Sequence, residues 1–316
     1  VIEASQAGVP LILISADRPP EQQGCGSNQT INQIQLFGTH VRASHVLGTP
    51  EAGFDPAYLH RLAARVCEQA SWPLPGPVHV NQPFREPLLP TVDVPPSQAA
   101  EKIHVSWPAQ TPNLPAIREL AQAIAGRPGL IVCGELPRQD GFAEAVSALA
   151  AQLDCPILAE PLANLRFGAH DRSHLCVRYN RWLADQAFVE RHRPEWILRF
   201  GTFPVTRHLQ NLVGSAARVH ALVEPWPRWT DPAHCLTHLL RAEPLAVCQA
   251  LLDAAPEPTP AGWRTAFADK ESTAQASKSS THIPALIEAL PENTPLFVGN
   301  SLAIRQLDSE SGSGDK

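Results

Sequence analysis

Residues 115–159 read PAIRELAQAIAGRPGLIVCGELPRQDGFAEAVSALAAQLDCPILA and alternate twice between a helical segment and a short apolar run. The alternation continues further along the chain. The predicted elements are helices 115–126 and 141–153, a helix through Leu209, and strands 129–133, 155–159, 196–200 and 219–223. Such alternation is typical of an α/β domain with a parallel sheet. We therefore predict a complete α/β domain over residues 115–255.

Shorter stretches of similar character flank this domain. On its N-terminal side, the apolar run Pro10–Ile14 predicts a buried strand of the parallel type. The remaining predicted elements are a helix at 58–70, a strand at 76–81, a helix at 283–290, a strand at 296–299 and a helix that begins at Ser301.

Proline marks the predicted domain boundaries. The chain has 32 prolines, and they cluster at 87–115 and 256–262, which we interpret as extended linkers. The predicted organisation is a first part at 1–88, a linker at 89–114, the α/β domain at 115–255, a linker at 256–280 and a last part at 281–316, which is too short to fold alone. Because position 1 is not Met, we expect the sequence to begin within a longer gene product.

Composition argues against several classes of protein. The net charge of −6 disfavours binding to nucleic acid or to an anionic membrane surface. No apolar run is long enough for a membrane span, and the N-terminus lacks the pattern of a signal peptide. The seven cysteines are scattered without a C-x-x-C pair, which favours a reducing cytoplasm over a disulfide scaffold or a structural zinc site.

Two clusters near the N-terminus are candidates for ligand binding. Arg18 follows a predicted strand, where its planar guanidinium could hold a carboxylate, although an ion pair with Asp17 explains it as well. Asn28 and Gln29 follow two glycines and offer donors and acceptors, although a helix N-cap at this point is an equal explanation.

Two further candidates lie at predicted helix starts. Ser301 and Arg305 share a face of the helix that follows the strand 296–299, and a helix N-terminus with an arginine is a plausible carboxylate site. Arg207 has the same position after the strand 196–200, with Thr206 before it. In both cases a simple N-cap beside a solvated arginine remains the alternative.

Metal binding and thiol chemistry have weaker support. The pairs His170/His174 and His234/His238 have the spacing of two ligands on a helix, but no third ligand completes a site. Cys25 has no identified base to activate it as a nucleophile.

Taken in order, several motifs resemble the family of 2-succinyl-5-enolpyruvyl-6-hydroxy-3-cyclohexene-1-carboxylate synthase (SEPHCHC synthase), a group of thiamine-diphosphate-dependent enzymes. The motifs are VIEASQAGVPLILISADRPPE from residue 1, CGSNQTI at 25–31, GPVHVNQPFREPL at 76–88, LRFG at 165–168 and LFVGNSLAIR at 296–305. The resemblance implies parallel-sheet, three-layer α/β domains: part of a pyrimidine-binding domain, a complete central domain and the start of a pyrophosphate-binding domain.

The resemblance also implies the activity. It is decarboxylation of 2-oxoglutarate and conjugate addition of the remaining four-carbon unit to isochorismate in menaquinone biosynthesis, by a homodimer or homotetramer with thiamine diphosphate and Mg²⁺ or Mn²⁺. Arg18, Asn28 and Gln29 would contact isochorismate or the intermediate, and Ser301 and Arg305 would hold the succinyl carboxylate. Arg207 stands where the family usually has a basic residue, often Lys.

Some of the family's functional residues are not matched by this sequence. The glutamate that activates the cofactor is expected before Val1, and the metal-binding segment after Lys316, so we expect these 316 residues alone to be inactive. The alternatives are another thiamine-diphosphate enzyme, such as an acetolactate-synthase-like ligase or a 2-oxoacid decarboxylase, a nucleotide- or effector-binding module without the G-x-G-x-x-G fingerprint, and a structural subunit.

Overall fold

A computed structural model describes residues 1–51, 54–89, 103–215, 217–276, 281–292 and 294–315. The chain divides into two compact units, residues 1–109 and residues 110–316. Both units consist of parallel β-sheet with α-helices, which confirms the α/β fold class. No helix in these ranges is long and apolar enough to cross a membrane.

The first unit contains a three-stranded parallel sheet in the order β1-β3-β2. Its elements are α1 (Ile2–Ala7), β1 (Leu11–Asp17), β2 (Ala43–Val46), α2 (Pro56–Ser71) and β3 (Pro77–Pro83), with short 3-10 helices at Pro20–Gln22 and Gly38–His40. The side chain of Asp55 caps α2 by accepting a hydrogen bond from the Ala57 N–H at 2.9 Å. Helix α2 packs on one face of β3, where Val66 and Ala70 meet Val78 and Val80.

The prediction that the first strand is buried is wrong, because every residue of β1 is exposed or only partly buried. Strand β1 pairs with β3 along one side only, and Ile12 and Ile14 lie on the same face as Val78 and Val80. The two isoleucines are 42% and 75% exposed, because the small core under α2 forms around β3 rather than β1. The apolar run therefore predicts the strand correctly, and its burial incorrectly.

The second unit contains a six-stranded parallel sheet in the order β6-β5-β4-β7-β8-β9. Its strands are β4 (Gly129–Cys133), β5 (Ile157–Ala159), β6 (Leu175–Cys176), β7 (Trp196–Phe200), β8 (Val219–Val223) and β9 (His238–Leu240). The bounds of β4, β7 and β8 are those predicted from the sequence. The edge strands β6 and β9 are too short to give a clear sequence pattern.

Helices cover both faces of this sheet and form three layers. The helices are α3 (Leu114–Ile124), α4 (Phe142–Leu153), α5 (Tyr179–Trp182), α6 (Gln186–Arg191), α7 (Arg207–Gly214), α8 (Pro244–Ala254) and α9 (Trp263–Ala276). Alternate residues of β4 enter two separate cores: Ile131 and Cys133 pack with α3, α4 and α8, and Leu130 and Val132 pack on the side of α5, α6, α7 and α9. Burial on both faces explains why β4 and β5 are continuous apolar runs.

The linker predicted at 256–280 is wrong over residues 263–276. These residues form α9, and its Phe267 and Ala274 are buried in the second core. Prolines at 256–260 suggested an extended segment, but they only precede the helix. Most of the other predicted linker, residues 90–102, lies outside the described residues.

Residues from 281 onward belong to the second unit. They form α10 (Ile283–Ala289) and α11 (Leu302–Glu310), at the positions predicted for helices. The strand predicted at 296–299 does not form: no described strand pairs with this segment, and the side chain of Phe297 is 96% exposed. An apolar run without a partner for its backbone hydrogen bonds does not make a strand.

Candidate functional site

A cavity of the first unit lies at the carboxyl ends of β1 and β3. Its volume is about 650 Å³. Its lining residues are Asp17, Arg18, Pro20, Gln23, Gly24, Gly26, Thr30, Ile31, Asn32, Ile34, Val46, Leu47, Asn81 and Pro83. Ligands of open parallel sheets collect at this end of the strands.

Asp17 organises the wall of the cavity. One carboxylate oxygen accepts hydrogen bonds from the Arg18 N–H at 2.7 Å, the Gln23 amide at 3.0 Å and the Gln33 amide at 3.2 Å. The other oxygen accepts from the Asn81 amide at 2.7 Å. Four donors to one carboxylate fix the loop after β1 and neutralise part of the negative charge of Asp17 at the cavity wall.

A second set of polar side chains continues this network below the cavity. The Ser15 hydroxyl lies 2.7 Å from both His79 Nε2 and Asn81 Oδ1. His79 and Asn81 are buried on β3, and burial lowers the pKa of His79. The neutral imidazole therefore acts as a rigid packing and hydrogen-bonding group, with its edge contact to Phe37 at 4.9 Å between ring centroids.

Arg18 is the charged side chain available to a ligand in this cavity. It is partly buried, and its guanidinium has no hydrogen-bond or ion-pair partner within the described ranges. The interpretation of an Asp17–Arg18 ion pair is therefore wrong, because Asp17 accepts the Arg18 backbone N–H and amide side chains instead. An unpaired guanidinium with a planar fork is suited to a carboxylate.

The loop that carries Asn28 and Gln29 borders the same cavity. Its Gly24, Gly26 and Thr30 line the cavity, whereas Asn28 and Gln29 are exposed, and Gln29 has a positive φ of 55°. The loop has no helix N-cap, because no α-helix starts there. Asn28 and Gln29 thus lie on a loop that borders the cavity of Arg18, but they are not among the residues that line it.

An ion pair next to the cavity joins two of the sequence motifs. Glu21 of ADRPPE and Arg85 of QPFREP form a bidentate pair with distances of 2.6 and 2.9 Å, and Arg85 also donates to Thr49 at 2.9 Å. The hydrogen bonds from Arg85 lower the pKa of Glu21 to about 2. Both side chains are half-exposed, so the pair fixes loop geometry more than it adds stability.

The other predicted site residues lie in the second unit. Ser301 is the N-cap of α11, without a side-chain capping bond, and Arg305 follows one turn later, so both are exposed at the start of this helix. Arg207 is exposed as the first residue of α7, behind Thr206. Ser301 and Arg305 are thus adjacent on one helix, and Arg207 lies on a separate element.

Sequence reasoning missed the residues that hold these side chains in place. From the sequence, Asp17 is assigned only as a partner for Arg18, and Ser15, His79 and Asn81 are assigned no role in the site. The available signal was polar residues within otherwise apolar strands: alternate positions of GPVHVN are polar, and buried polar groups need partners.

Neither histidine pair forms a metal site. The structure places no group of three or more His, Cys, Asp or Glu side chains suitably for a metal ion in the ranges it describes. His170 and His174 lie in a loop and bond to carbonyls of Leu165 and Cys155, at 2.8 and 3.0 Å.

Two backbone hydrogen bonds join the loops at the crevice of the second sheet. The strand order reverses between β4 and β7, which is where dinucleotides bind in related folds. Here the Gly134 N–H donates to Phe200 O at 2.9 Å, and the Thr202 N–H donates to Glu135 O at 3.1 Å. These two backbone donors already have protein acceptors and are therefore not available to a phosphate.

Gly134→Ala tests this close contact. A Cβ at Gly134 would lie 2.3 Å from the carbonyl oxygen of Thr202, so the two loops must separate. We expect the free energy of unfolding in urea to fall by about 1–3 kcal/mol. Gly299→Ala, where a Cβ meets no atom within 4 Å, is the control. Equal stability of the two variants would contradict the close approach of the loops.

Comparison with known proteins gives whole-chain matches. The chain is 61% identical over 316 residues to a SEPHCHC synthase of Dechloromonas aromatica, of which it covers 59%. It is 37% identical to the enzyme of that name from Geobacillus thermodenitrificans and 35% identical to the one from Haloarcula marismortui, covering 57% and 58% of them.

The chain thus spans somewhat more than half of the length of these curated relatives. No family model matches it. The resemblance inferred from the motifs is confirmed, since the whole chain corresponds to a segment of the 2-succinyl-5-enolpyruvyl-6-hydroxy-3-cyclohexene-1-carboxylate synthase family.

Proposed function

We propose that this chain is the substrate-binding part of an enzyme that decarboxylates 2-oxoglutarate and adds the four-carbon unit to isochorismate, in menaquinone biosynthesis. The observation that carries the proposal is the unpaired Arg18 guanidinium on the wall of the cavity at the carboxyl ends of β1 and β3. Both substrates are dicarboxylates, and the chain has a net charge of −6, so each substrate needs a locally placed cation.

Arg18 is the proposed ligand for a carboxylate of isochorismate. Asp17 lies beside it, but its oxygens are occupied by four donors, so they do not compete for the guanidinium. Asn28 and Gln29, on the exposed loop after Gly24 and Gly26, are proposed to add amide contacts when substrate fills the cavity.

Ser301 and Arg305 are the proposed ligands for the carboxylate that 2-oxoglutarate retains. The N-terminus of α11 presents free backbone N–H groups together with the Arg305 guanidinium, and both favour an anion. Arg207, at the start of α7, is proposed as a further cation toward the substrates.

Thiamine diphosphate and Mg²⁺ or Mn²⁺ are the proposed cofactors of the complete enzyme. They would supply the carbanion chemistry for decarboxylation and carbon–carbon bond formation. We propose that other residues of the enzyme bind them, in a homodimer or homotetramer in the cytoplasm, without nucleic acid or membrane partners.

This function is tested with the full-length enzyme, which is an enzyme of the relatives' length that carries these 316 residues in the matched position. We expect release of carbon dioxide from 2-oxoglutarate with thiamine diphosphate and Mg²⁺, coupled to consumption of isochorismate. Release from pyruvate that is indifferent to isochorismate would instead support a ligase or decarboxylase of the acetolactate-synthase type.

Arg18→Gln tests the proposed carboxylate ligand. We expect kcat/KM for isochorismate to fall by roughly tenfold to a hundredfold, because a charge-assisted hydrogen bond is lost. Arg18→Lys should recover only part of this loss, since Lys keeps the charge without the planar fork. The matched control is Arg61→Gln, an exposed arginine on α2. Equal kinetics for Arg18→Gln and Arg61→Gln would refute the assignment.

A further inference from the structure

Helix α11 carries a row of three polar side chains with contrasting environments. Ser301, Arg305 and Asp308 are four and three residues apart, so they lie along one face of the helix. Ser301 and Arg305 are exposed, whereas the Asp308 side chain is only 3% exposed. The proposed substrate ligands and a buried carboxylate therefore share one rigid element.

The Asp308 carboxylate is surrounded by donors. One oxygen accepts hydrogen bonds from Arg166 and, at 2.7 Å, from the Tyr179 hydroxyl, and the other accepts from the Asn180 amide. Burial raises the pKa of Asp308, and the charge and hydrogen bonds of Arg166, Tyr179 and Asn180 oppose that rise. A buried carboxylate with three donors holds one orientation.

Arg166 reaches α11 from the loop between β5 and β6. Its side chain is 1% exposed, and besides the Asp308 carboxylate it donates to the Asp308 carbonyl at 2.7 Å and to the Ser311 hydroxyl at 3.0 Å. It also donates to the carbonyl of Ala159, the last residue of β5, at 2.9 Å. One guanidinium thus connects the central sheet to the C-terminal end of α11.

Backbone pairing fixes the same end of the helix. The Gly314 N–H donates to Arg166 O at 3.0 Å, and the Gly168 N–H donates to Gly314 O at 3.1 Å. Residues 165–168 are the LRFG motif, to which no substrate contact was assigned. The motif therefore binds α11 through its arginine and the segment after α11 through its backbone.

We infer that Arg166 and Asp308 are positioning residues, which set the rotation of α11 and so direct Ser301 and Arg305 toward the carboxylate retained by 2-oxoglutarate. The inference rests on the proposed function, in which Ser301 and Arg305 bind that carboxylate. A 20° rotation of α11 would move a side-chain head group about 6 Å from the helix axis by on the order of 2 Å. Such a displacement is enough to break a bidentate contact.

Asp308→Asn in the full-length enzyme is the test. It keeps the shape of the side chain but removes the charge that orients Arg166. We expect the KM for 2-oxoglutarate to rise roughly tenfold, with the KM for isochorismate changed less than about twofold. A purely structural role would instead lower the amount of active enzyme and leave both KM values unchanged. Asp253→Asn, an exposed residue of α8, is the matched control.

A double-mutant cycle with Arg305→Ala asks whether Asp308 acts through Arg305. If it does, Asp308→Asn adds little to the KM for 2-oxoglutarate in the Arg305→Ala background. Additive effects, or an unchanged KM in Asp308→Asn alone, would overturn the inference and leave the carboxylate assignment intact. An unchanged KM in Arg305→Ala alone would overturn both.

Tyr179→Phe provides a milder variant in case Asp308→Asn fails to fold. It removes one donor to Asp308 and preserves the packing of the buried ring. We expect a rise of roughly twofold to threefold in the KM for 2-oxoglutarate, and faster amide hydrogen exchange over residues 302–310 than in the wild-type enzyme. Unchanged exchange together with unchanged KM would refute the positioning role.

Discussion

Phe267→Ala is expected to lower the free energy of unfolding of the chain by about 3–5 kcal/mol, because it empties a large side-chain volume from a packed core. Phe267 is 1% exposed on α9. Its ring meets those of Phe188, Trp182 and Trp263 at centroid distances of 5.4, 5.8 and 5.1 Å. The pairs with Phe188 and Trp182 are edge-to-face, and such pairs contribute beyond the area that they bury.

The measurement is urea unfolding followed by tryptophan fluorescence, which reports on Trp182 and Trp263 in this core. Phe297→Ala is the control, because its ring is 96% exposed, and we expect a change below about 0.5 kcal/mol. A Phe267→Ala variant as stable as this control would show that α9 does not pack on the sheet.

Glu160→Gln is expected to change how stability depends on pH. Burial raises the pKa of Glu160 to about 7 from an ordinary value of 4.5, and the nearby carboxylates of Asp308 and Glu135 add to the rise. The folded state therefore binds the proton more tightly than the unfolded state. The stabilisation is complete below pH 4.5 and is lost as the pH rises through 7, by about 3 kcal/mol in total.

The Gln variant should remove this dependence, since an amide does not titrate. Its oxygen can still accept the Val205 N–H, which lies 2.7 Å from the Glu160 carboxylate. We therefore expect the variant to be more stable than wild type at pH 8, and similar at pH 5, in urea unfolding. Glu190→Gln, at an exposed position on α6, should retain the wild-type profile. If the free energy of unfolding of Glu160→Gln falls between pH 5 and 8 as steeply as that of the wild type, the raised pKa of Glu160 is contradicted.

The parts of the fold that were predictable are those with strong local patterns. Strands β7 and β8 are mostly apolar and are buried on both faces, with one polar residue each, Arg199 and His220, so the sequence alone marks their first and last residues. Helix α9 was not predicted, because the prolines before it indicated an extended segment. Trp263 and Phe267 nevertheless have helical spacing. The exposure of Ile14 depends on which elements pack on the sheet, and a local sequence pattern carries no information about that packing.

The candidate site likewise has a part that is predictable from the sequence and a part that is not. Arg18 was found because it directly follows a strand, and strand ends locate ligands in parallel sheets. The partnership of Arg166 and Asp308 joins positions 142 residues apart, and only the folded chain brings them together. The charged residues of a motif can be identified from sequence, but their partners depend on tertiary structure.

Strand β1 has a practical consequence for handling the 316-residue chain. No described strand pairs with its outer side, and Ile12 and Ile14 place apolar surface beside this edge. Edges of this kind recruit strands from other molecules, and natural proteins usually protect them with charge, proline or a covering segment. We therefore expect the 316-residue chain alone to aggregate through β1, and we expect Ile14→Lys to reduce this aggregation.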